Sequence, residues 1–323
     1  MKKVLIGLLF LSLTMLAQSR QKIIFDCDFG GDVDDAFAVA LILASPEFEV
    51  LGLVMDHGNT PLRARTAGRM LYEVGLENDI PIVMGRHTPG IVGEETELAG
   101  RSNQFIWSDG FDKVKPIEQN ATDFIIENLR KYPDEVILFT VGPVCNMQDV
   151  IEKDPEALKL AKKIVSMFGS FYMGYNSGPI PDPEWNVRAD VKASQKFMNS
   201  GADITLAGLD VTTFVKISAE DRTRLLMRQS PLTNSLCGLY TLWRYESYAY
   251  PNSTMFDGVA VGMVLWPELF TTRKAHVTVD EKGFTVIDEG KEPNCEIGMT
   301  INKDEFLIRM MDRLLKQNLM RID

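Results

Sequence analysis

Over residues 20–210, short apolar runs alternate with longer stretches in which apolar positions recur every three or four residues. Residues 22–28, Lys-Ile-Ile-Phe-Asp-Cys-Asp, predict a buried strand, and a helix follows from about Asp34. Residues 48–55 predict the next strand, 61–74 a helix and 80–84 a third strand. Residues 122–131 have helical spacing and lead into a fourth strand at 136–141, while 164–168 and 204–209 complete the series. Apolar strands that alternate with helices build βαβ units, and hence an α/β fold with a largely parallel, Rossmann-like open sheet flanked by helices. Residues 276–287 predict a hairpin turning at Glu281-Lys282-Gly283, and 303–319 a terminal helix. The stretch 88–116, rich in Gly and acids, reads as a long loop of the kind that often carries function. No Pro/Ser-rich linker or repeat interrupts residues 20–323, which are read as one catalytic domain.

The first nineteen residues stand apart. Lys2 and Lys3 precede an apolar run from Val4 to Ala17, and polar Gln18, Ser19 and Arg20 follow. That run is short for a bilayer span and has the layout of a secretory signal peptide, so residues 1–19 are expected to be removed. The expected location is periplasmic or secreted, with no membrane attachment after cleavage. The chain carries 34 Lys and Arg against 45 Asp and Glu, a net charge of −11. Phosphate-backbone binding needs a basic face, so no nucleic-acid partner is expected. The four cysteines, 27, 145, 237 and 295, are widely spaced without a CxxC motif, and no disulfide framework is read from them. Cys27 and Cys145 are read as buried thiols at strand ends.

The acids are concentrated in one place. Asp26, Asp28, Asp32, Asp34 and Asp35 fall within ten residues, at the end of the first strand and the start of its helix. Helix capping accounts for one or two of them. Carboxylates this close raise one another's pKa unless a cation neutralises them, and hard oxygen donors select Ca²⁺ or Mg²⁺. An EF-hand loop would need Glu at its twelfth position, where Phe37 or Val39 stands. A haloacid-dehalogenase-type phosphotransferase would also place Asp-x-Asp after a first strand, but the Gly-Gly-Asp-Val-Asp-Asp continuation does not suit it. In an open α/β sheet, ligands bind beyond the carboxyl ends of the strands, so Asp28, residues 56–59, 140–146 and 170–186 should share a rim.

The run resembles the signature of the inosine–uridine-preferring nucleoside hydrolase family, Asp-x-Asp-Pro-Gly-x-Asp-Asp. Phe29 replaces the Pro, and two extra residues precede the final Asp pair. Further segments resemble the family in the same order: Gly58-Asn59, Thr140 to Asn146, Glu184-Trp185-Asn186 with 187–194, Leu209 to Thr212, and Met255-Phe256-Asp257-Gly258. The resemblance implies a nucleoside hydrolase fold and Ca²⁺-dependent hydrolysis of the N-glycosidic bond of a ribonucleoside or related pentoside, as in purine and pyrimidine salvage. It implies that Asp28, Asp35, Asp257 and the Thr140 main-chain carbonyl hold Ca²⁺, and that Asp28 takes the proton from a metal-bound water. Asp34, Asn59, Asn176, Glu184 and Asn186 would bind substrate, chiefly its ribose hydroxyls, and a homodimer or homotetramer is implied. The alternatives are a hydrolase of a non-nucleoside riboside and a non-catalytic Ca²⁺-dependent sugar-binding protein.

The chemistry is coherent on its own terms. N-glycoside cleavage develops positive charge on the sugar, which preorganised carboxylates and amides stabilise. A divalent cation acidifies water and grips vicinal hydroxyls. The leaving-group end is less complete. Phe256 stands where relatives commonly carry His, and the family's His-bearing segment is not recognisable between Thr88 and Asp112. His57 lies on the rim, as a candidate for the pocket or a structural residue, and Asp32 has no family counterpart. Trp243, Tyr245, Tyr248 and Tyr250 are candidates to stack on a base, or core residues.

Overall fold

The computed structural model describes residues 20–94, 102–247 and 251–322; the proposed signal peptide and Tyr248 and Tyr250 lie outside them. β1 (Gln21–Cys27) leads to α1 (Asp34–Leu43), β2 (Phe48–Met55), α2 (Thr60–Val74) and β3 (Ile82–Met84). After α3 (Gln104–Trp107) and α4 (Ala121–Lys131) come β4 (Val136–Thr140), α5 (Cys145–Lys153) and β5 (Lys163–Met167). α6 (Trp185–Ala189) and α7 (Val191–Met198) precede β6 (Ile204–Ala207), followed by α8 (Leu209–Thr212), α9 (Ala219–Arg228), α10 (Pro231–Glu246) and α11 (Phe256–Leu265). β7 (Phe270–Ala275), β8 (Val277–Val279), β9 (Thr285–Ile287), β10 (Cys295–Ile301) and α12 (Lys303–Lys316) close the chain.

The main sheet runs β3-β2-β1-β4-β5-β6-β10-β7. Its strands are parallel from β3 to β10, and β7 is an antiparallel edge. β7 and β10 extend the sheet beyond the strands read from sequence. The segment 276–287 forms the β8–β9 ribbon as expected.

Side-chain alternation along β1 divides the core. Ile23, Phe25 and Cys27 face a layer with residues of α1, α2, α10, α11 and α12, while Ile24 faces one with residues of α4, α5 and α7. α1 is apolar nearly all round, and its residues 34–42 are buried, as a central helix must be. Cys27, Cys145, Cys237 and Cys295 are all unpaired; Cys145 opens α5 and is not at a strand end. Among the described residues no helix is long and apolar enough to cross a membrane.

The chain winds from β1 through β2 to β3, then returns to place β4 on the other side of β1. The strand order therefore reverses between β1 and β4. At such a switch point the loops after neighbouring strands diverge and leave a crevice at their carboxyl ends. Asp28 follows one of these strands and Val141 the other.

Candidate functional site

A cavity of about 530 Å³ opens at that crevice. Its carboxylate side holds Asp28, Asp32, Asp34, Asp35 and Asp257, with Glu184 and Asn186 nearby on the wall. The Asp-rich loop is not a capping device, contrary to the expectation for one or two of its members. The residue before α1 is Val33, which has no side chain to cap with, and its own N–H donates to Asp32 Oδ1 at 2.6 Å. Asp34 and Asp35 instead sit in the first turn of a buried helix, and Asp257 in the first turn of α11, which packs against it. The Asp257 N–H donates to Asp34 Oδ2 at 3.2 Å, joining the two helix starts.

Asp34, Asp35 and Asp257 are all buried, and one oxygen from each lies within 4.8 Å of the others. Burial, and then the neighbouring carboxylates, push all three pKa values well up. Asp35 Oδ1 is buried without a hydrogen-bond partner. A buried orphan oxygen beside two more carboxylates is an unstable arrangement unless a proton or a cation fills it. The donor set, all hard oxygen, fits Ca²⁺ or Mg²⁺.

Asp28 lines the same cavity and is linked to Arg63, whose Nη2 lies 3.4 Å from Oδ2. Gly142, in the turn after β4, packs against it: a Cβ there would stand 3.0 Å from the Asp28 main-chain nitrogen and 3.2 Å from Oδ1. β4 brings Val141, not Thr140, to the cavity wall. Thr140 is still in the strand, paired with Asp26 and Ser166; its hydroxyl donates to Asp26 Oδ1 and its carbonyl accepts the Ser166 hydroxyl at 2.9 Å. Thr140, read from sequence as a main-chain ligand, therefore stays in the sheet and Val141 is the residue at the cavity wall, because the chain leaves the sheet only after Thr140.

On the wall, Glu184 caps α6. Its carboxylate accepts the N–H groups of Asn186 (2.9 Å), Gly169 (3.1 Å) and Val187 (3.3 Å), and burial raises its pKa to about 7 despite them. Asn186 donates Nδ2 to the carbonyls of Val141 (2.8 Å) and Met167 (3.0 Å), tying the wall to the ends of β4 and β5.

Two other sequence-predicted residues do not reach the cavity. Asn59 caps α2, its Oδ1 accepting the Leu62 N–H at 3.2 Å. Asn176 is exposed on a turn, and its neighbour Tyr175 enters the cavity instead. Asp32 is exposed toward the cavity, with Oδ1 also accepting the Ser253 hydroxyl at 3.3 Å. His57 lines the cavity in a left-handed backbone conformation, φ 55°. Its Nδ1 lies 2.8 Å from Thr88 Oγ1, its Nε2 has no partner, and burial lowers its pKa to about 4.

The aromatic wall joins Phe256, read from sequence at the leaving-group end, to residues not singled out for stacking. Trp243 is buried against Tyr240, and Tyr245 is exposed away from the cavity lining. Tyr175, Trp185 and Phe256 line it, as does Phe105 from α3. Tyr175 and Phe256 meet edge to face at 6.0 Å, and Trp185 meets His57 the same way at 6.4 Å. Tyr175 Oη accepts the Trp185 N–H at 2.7 Å. A faint signal was present, since Trp185 lies between two predicted residues and Tyr175 beside a third. The cavity therefore joins a carboxylate floor suited to a hard cation, polar groups for hydroxyls and an aromatic side for a flat group.

Comparison with known proteins follows the same lines. The sequence profile described as inosine-uridine preferring nucleoside hydrolase matches residues 23–308. The chain is 31% identical over 282 residues to uridine nucleosidase 1 of Arabidopsis thaliana, covering 84% of this chain and 83% of the relative. It is 30% identical over 311 residues to the pyrimidine-specific ribonucleoside hydrolase RihA of Citrobacter koseri, covering 90% and 97%. The plant nucleoside hydrolase PpNRh1 superposes with a TM-score of 0.80 at 24% identity, over 93% of this chain and all of that one. The purine-preferring ribonucleoside hydrolase from Gardnerella vaginalis gives 0.76 at 22% identity, over 91% and 98%. At those identities the structural likeness speaks for the fold.

Proposed function

The chain belongs to the inosine–uridine preferring nucleoside hydrolase family, and we propose that it cleaves pyrimidine ribonucleosides with Ca²⁺ at the carboxylate floor and Asp28 as general base. It is an N-glycosyl hydrolase of ribonucleosides; the metal, the roles and the base preference are our reading. The observation that carries it is the buried trio Asp34, Asp35 and Asp257 sharing one cavity with Asp28, Glu184 and Asn186.

Asp28, Asp35 and Asp257 would hold the cation, with the Val141 carbonyl as the main-chain candidate; that carbonyl keeps a second lone pair beyond its bond to Asn186. When bound, the cation acidifies water and grips vicinal hydroxyls. Asp28 accepts the proton of the attacking water. Asp34, Glu184 and Asn186 take the ribose hydroxyls, and their negative and dipolar groups stabilise the positive charge that develops on the sugar. Because they are fixed before substrate arrives, by the Asp257 N–H, three backbone N–H groups and two carbonyls respectively, little reorganisation accompanies the reaction.

Tyr175, Trp185 and Phe256 receive the base. Phe256 offers no proton, which favours leaving groups that carry the departing electron pair on their own carbonyl oxygens, as pyrimidine-2,4-diones do. The names of the relatives from A. thaliana and C. koseri point the same way. Ribose release measured across a panel of ribonucleosides should give kcat/KM for uridine above that for inosine by about tenfold or more, on the scale of one hydrogen bond or contact. The reverse order would refute the preference. Trp185→Ala should raise KM for uridine about tenfold, since a base–aromatic stack is worth roughly 1–3 kcal/mol. An unchanged KM would remove Trp185 from the base site. The start of the chain supports export to the periplasm or medium by cleavage of residues 1–19, and a homodimer or homotetramer is proposed for the mature protein.

A further inference from the structure

The cavity lining includes two cations, and they are placed differently. Arg188 is exposed on α6, whereas Arg63 is buried on the first turns of α2, 3% exposed. A guanidinium this deep is retained only where its donors are satisfied. Arg63 Nε donates to the His57 carbonyl at 2.7 Å, Nη1 to the Phe29 carbonyl at 3.1 Å and Nη2 to Asp28 Oδ2 at 3.4 Å. The three acceptors come from two loops, the one after β1 that carries the aspartates and the one after β2. The Arg63 bond falls on Oδ2 of Asp28, Oδ1 makes no hydrogen bond to any described residue, and Asp28 lines the cavity.

We infer that Arg63 is a positioning residue for the hydrolysis, holding one carboxylate oxygen of Asp28 so that the other is presented to the attacking water. This rests on the reading of Asp28 as the base. The planar fork matters more than the charge. Nε and the two Nη atoms spread in one plane and reach three fixed acceptors at once, which a Lys ammonium on a flexible stem cannot do. Two of the bonds, to Phe29 and His57, register the β1 loop against the β2 loop, and the third transmits that register to the carboxylate. Gly142, in the turn that follows β4, packs against the backbone and Cβ of Asp28, so the residue is held between Arg63 and that turn. A shift of the base by about 1 Å is enough to cost roughly 100-fold in rate.

The test is a double-mutant cycle with uridine at saturating Ca²⁺: Arg63→Ala and Arg63→Lys, each alone and with Asp28→Asn, with kcat, KM and thermal midpoint measured for every protein. Arg63→Ala should lower kcat roughly 100-fold with KM changed less than about threefold, and Arg63→Lys should recover little of it. In the Asp28→Asn background neither substitution should lower kcat further, because a residue that acts through Asp28 has nothing left to position. Multiplicative losses would overturn the inference, as would full kcat in either single variant. A loss that appears in KM, or that tracks the thermal midpoint, would make Arg63 a loop clamp only and also overturn it. If Asp28→Asn itself turns over at the native rate, the reading of Asp28 as base is what has failed, and the positioning role falls with it. Arg63→Lys keeps the buried charge, so it supplies the kinetic comparison should Arg63→Ala fail to fold.

Discussion

Asp28→Asn is expected to lower kcat for uridine by about 10³-fold, within the range that general bases contribute, while leaving the fold intact. Asn matches the shape of Asp and can still accept the Arg63 hydrogen bond through its amide oxygen. It cannot take a proton at neutral pH. Asp28 is partly exposed at the end of β1 and lies in no apolar layer of the core, so little packing is lost. The substitution also removes a negative oxygen from the proposed cation site, and the two effects separate by titration. If Asp28 is only a ligand, raising Ca²⁺ until binding saturates should restore kcat toward the native value. If it is the base, kcat stays low at saturation. Retention of activity within about tenfold at any Ca²⁺ concentration would dismiss the assignment.

Much of this site is legible because its chemistry is concentrated in one loop. Five acids in ten residues exceed what capping or solubility requires, and the structure uses none of them to cap α1. The parallel strands were legible for a related reason: β2 (Phe48–Met55) and its neighbours are apolar runs bounded by breaks, and doubly covered strands read that way. β7 and β10 were not. Residues Phe270–Ala275 form a largely exposed edge, and Cys295–Ile301 alternates apolar with polar residues, so neither presents a continuous run.

The differences in placement at the site have a common origin. A motif identifies a segment, but which of its atoms meets the cavity depends on where the strand ends and how the next turn closes. Thr140 and Val141 differ by one residue in sequence, yet one stays hydrogen-bonded within the sheet and the other lines the cavity. Asn59 is chemically suited to a hydroxyl but is held as the cap of α2. Arg63 lies four residues further along, one helical turn, and its reach to Asp28 depends on how α2 packs beside the β1 loop. No local pattern encodes that distance.

Removing divalent cations is expected to abolish ribose release and to make stability strongly pH-dependent. Without a cation, Asp34, Asp35 and Asp257 have pKa values pushed well up by burial and by one another, with Asp26 and Glu184 raised to about 7, burial leading in each case. A carboxyl whose pKa is higher in the folded than in the unfolded chain binds protons more tightly when folded. Between the ordinary carboxylate value near 4 and the raised values, the native state therefore holds more protons than the unfolded one. Stability then falls as pH rises through that interval. In chelator, the thermal midpoint should decline steadily from about pH 4 to pH 7. Ca²⁺ neutralises the ionised carboxylates at its site, so it should flatten the decline and raise the midpoint most at the alkaline end. At a hundredfold excess over its dissociation constant the gain is about 2.7 kcal/mol, or roughly 5 °C or more for a chain of this size. Ribose release should fall by at least about 100-fold in the same chelated samples, the loss of several kcal/mol of charge stabilisation, and return on addition of Ca²⁺. Coincident midpoint profiles with and without the cation would mean that the carboxylate trio resolves its charge by protonation alone, and that the hydrolysis proceeds on the protein's own groups.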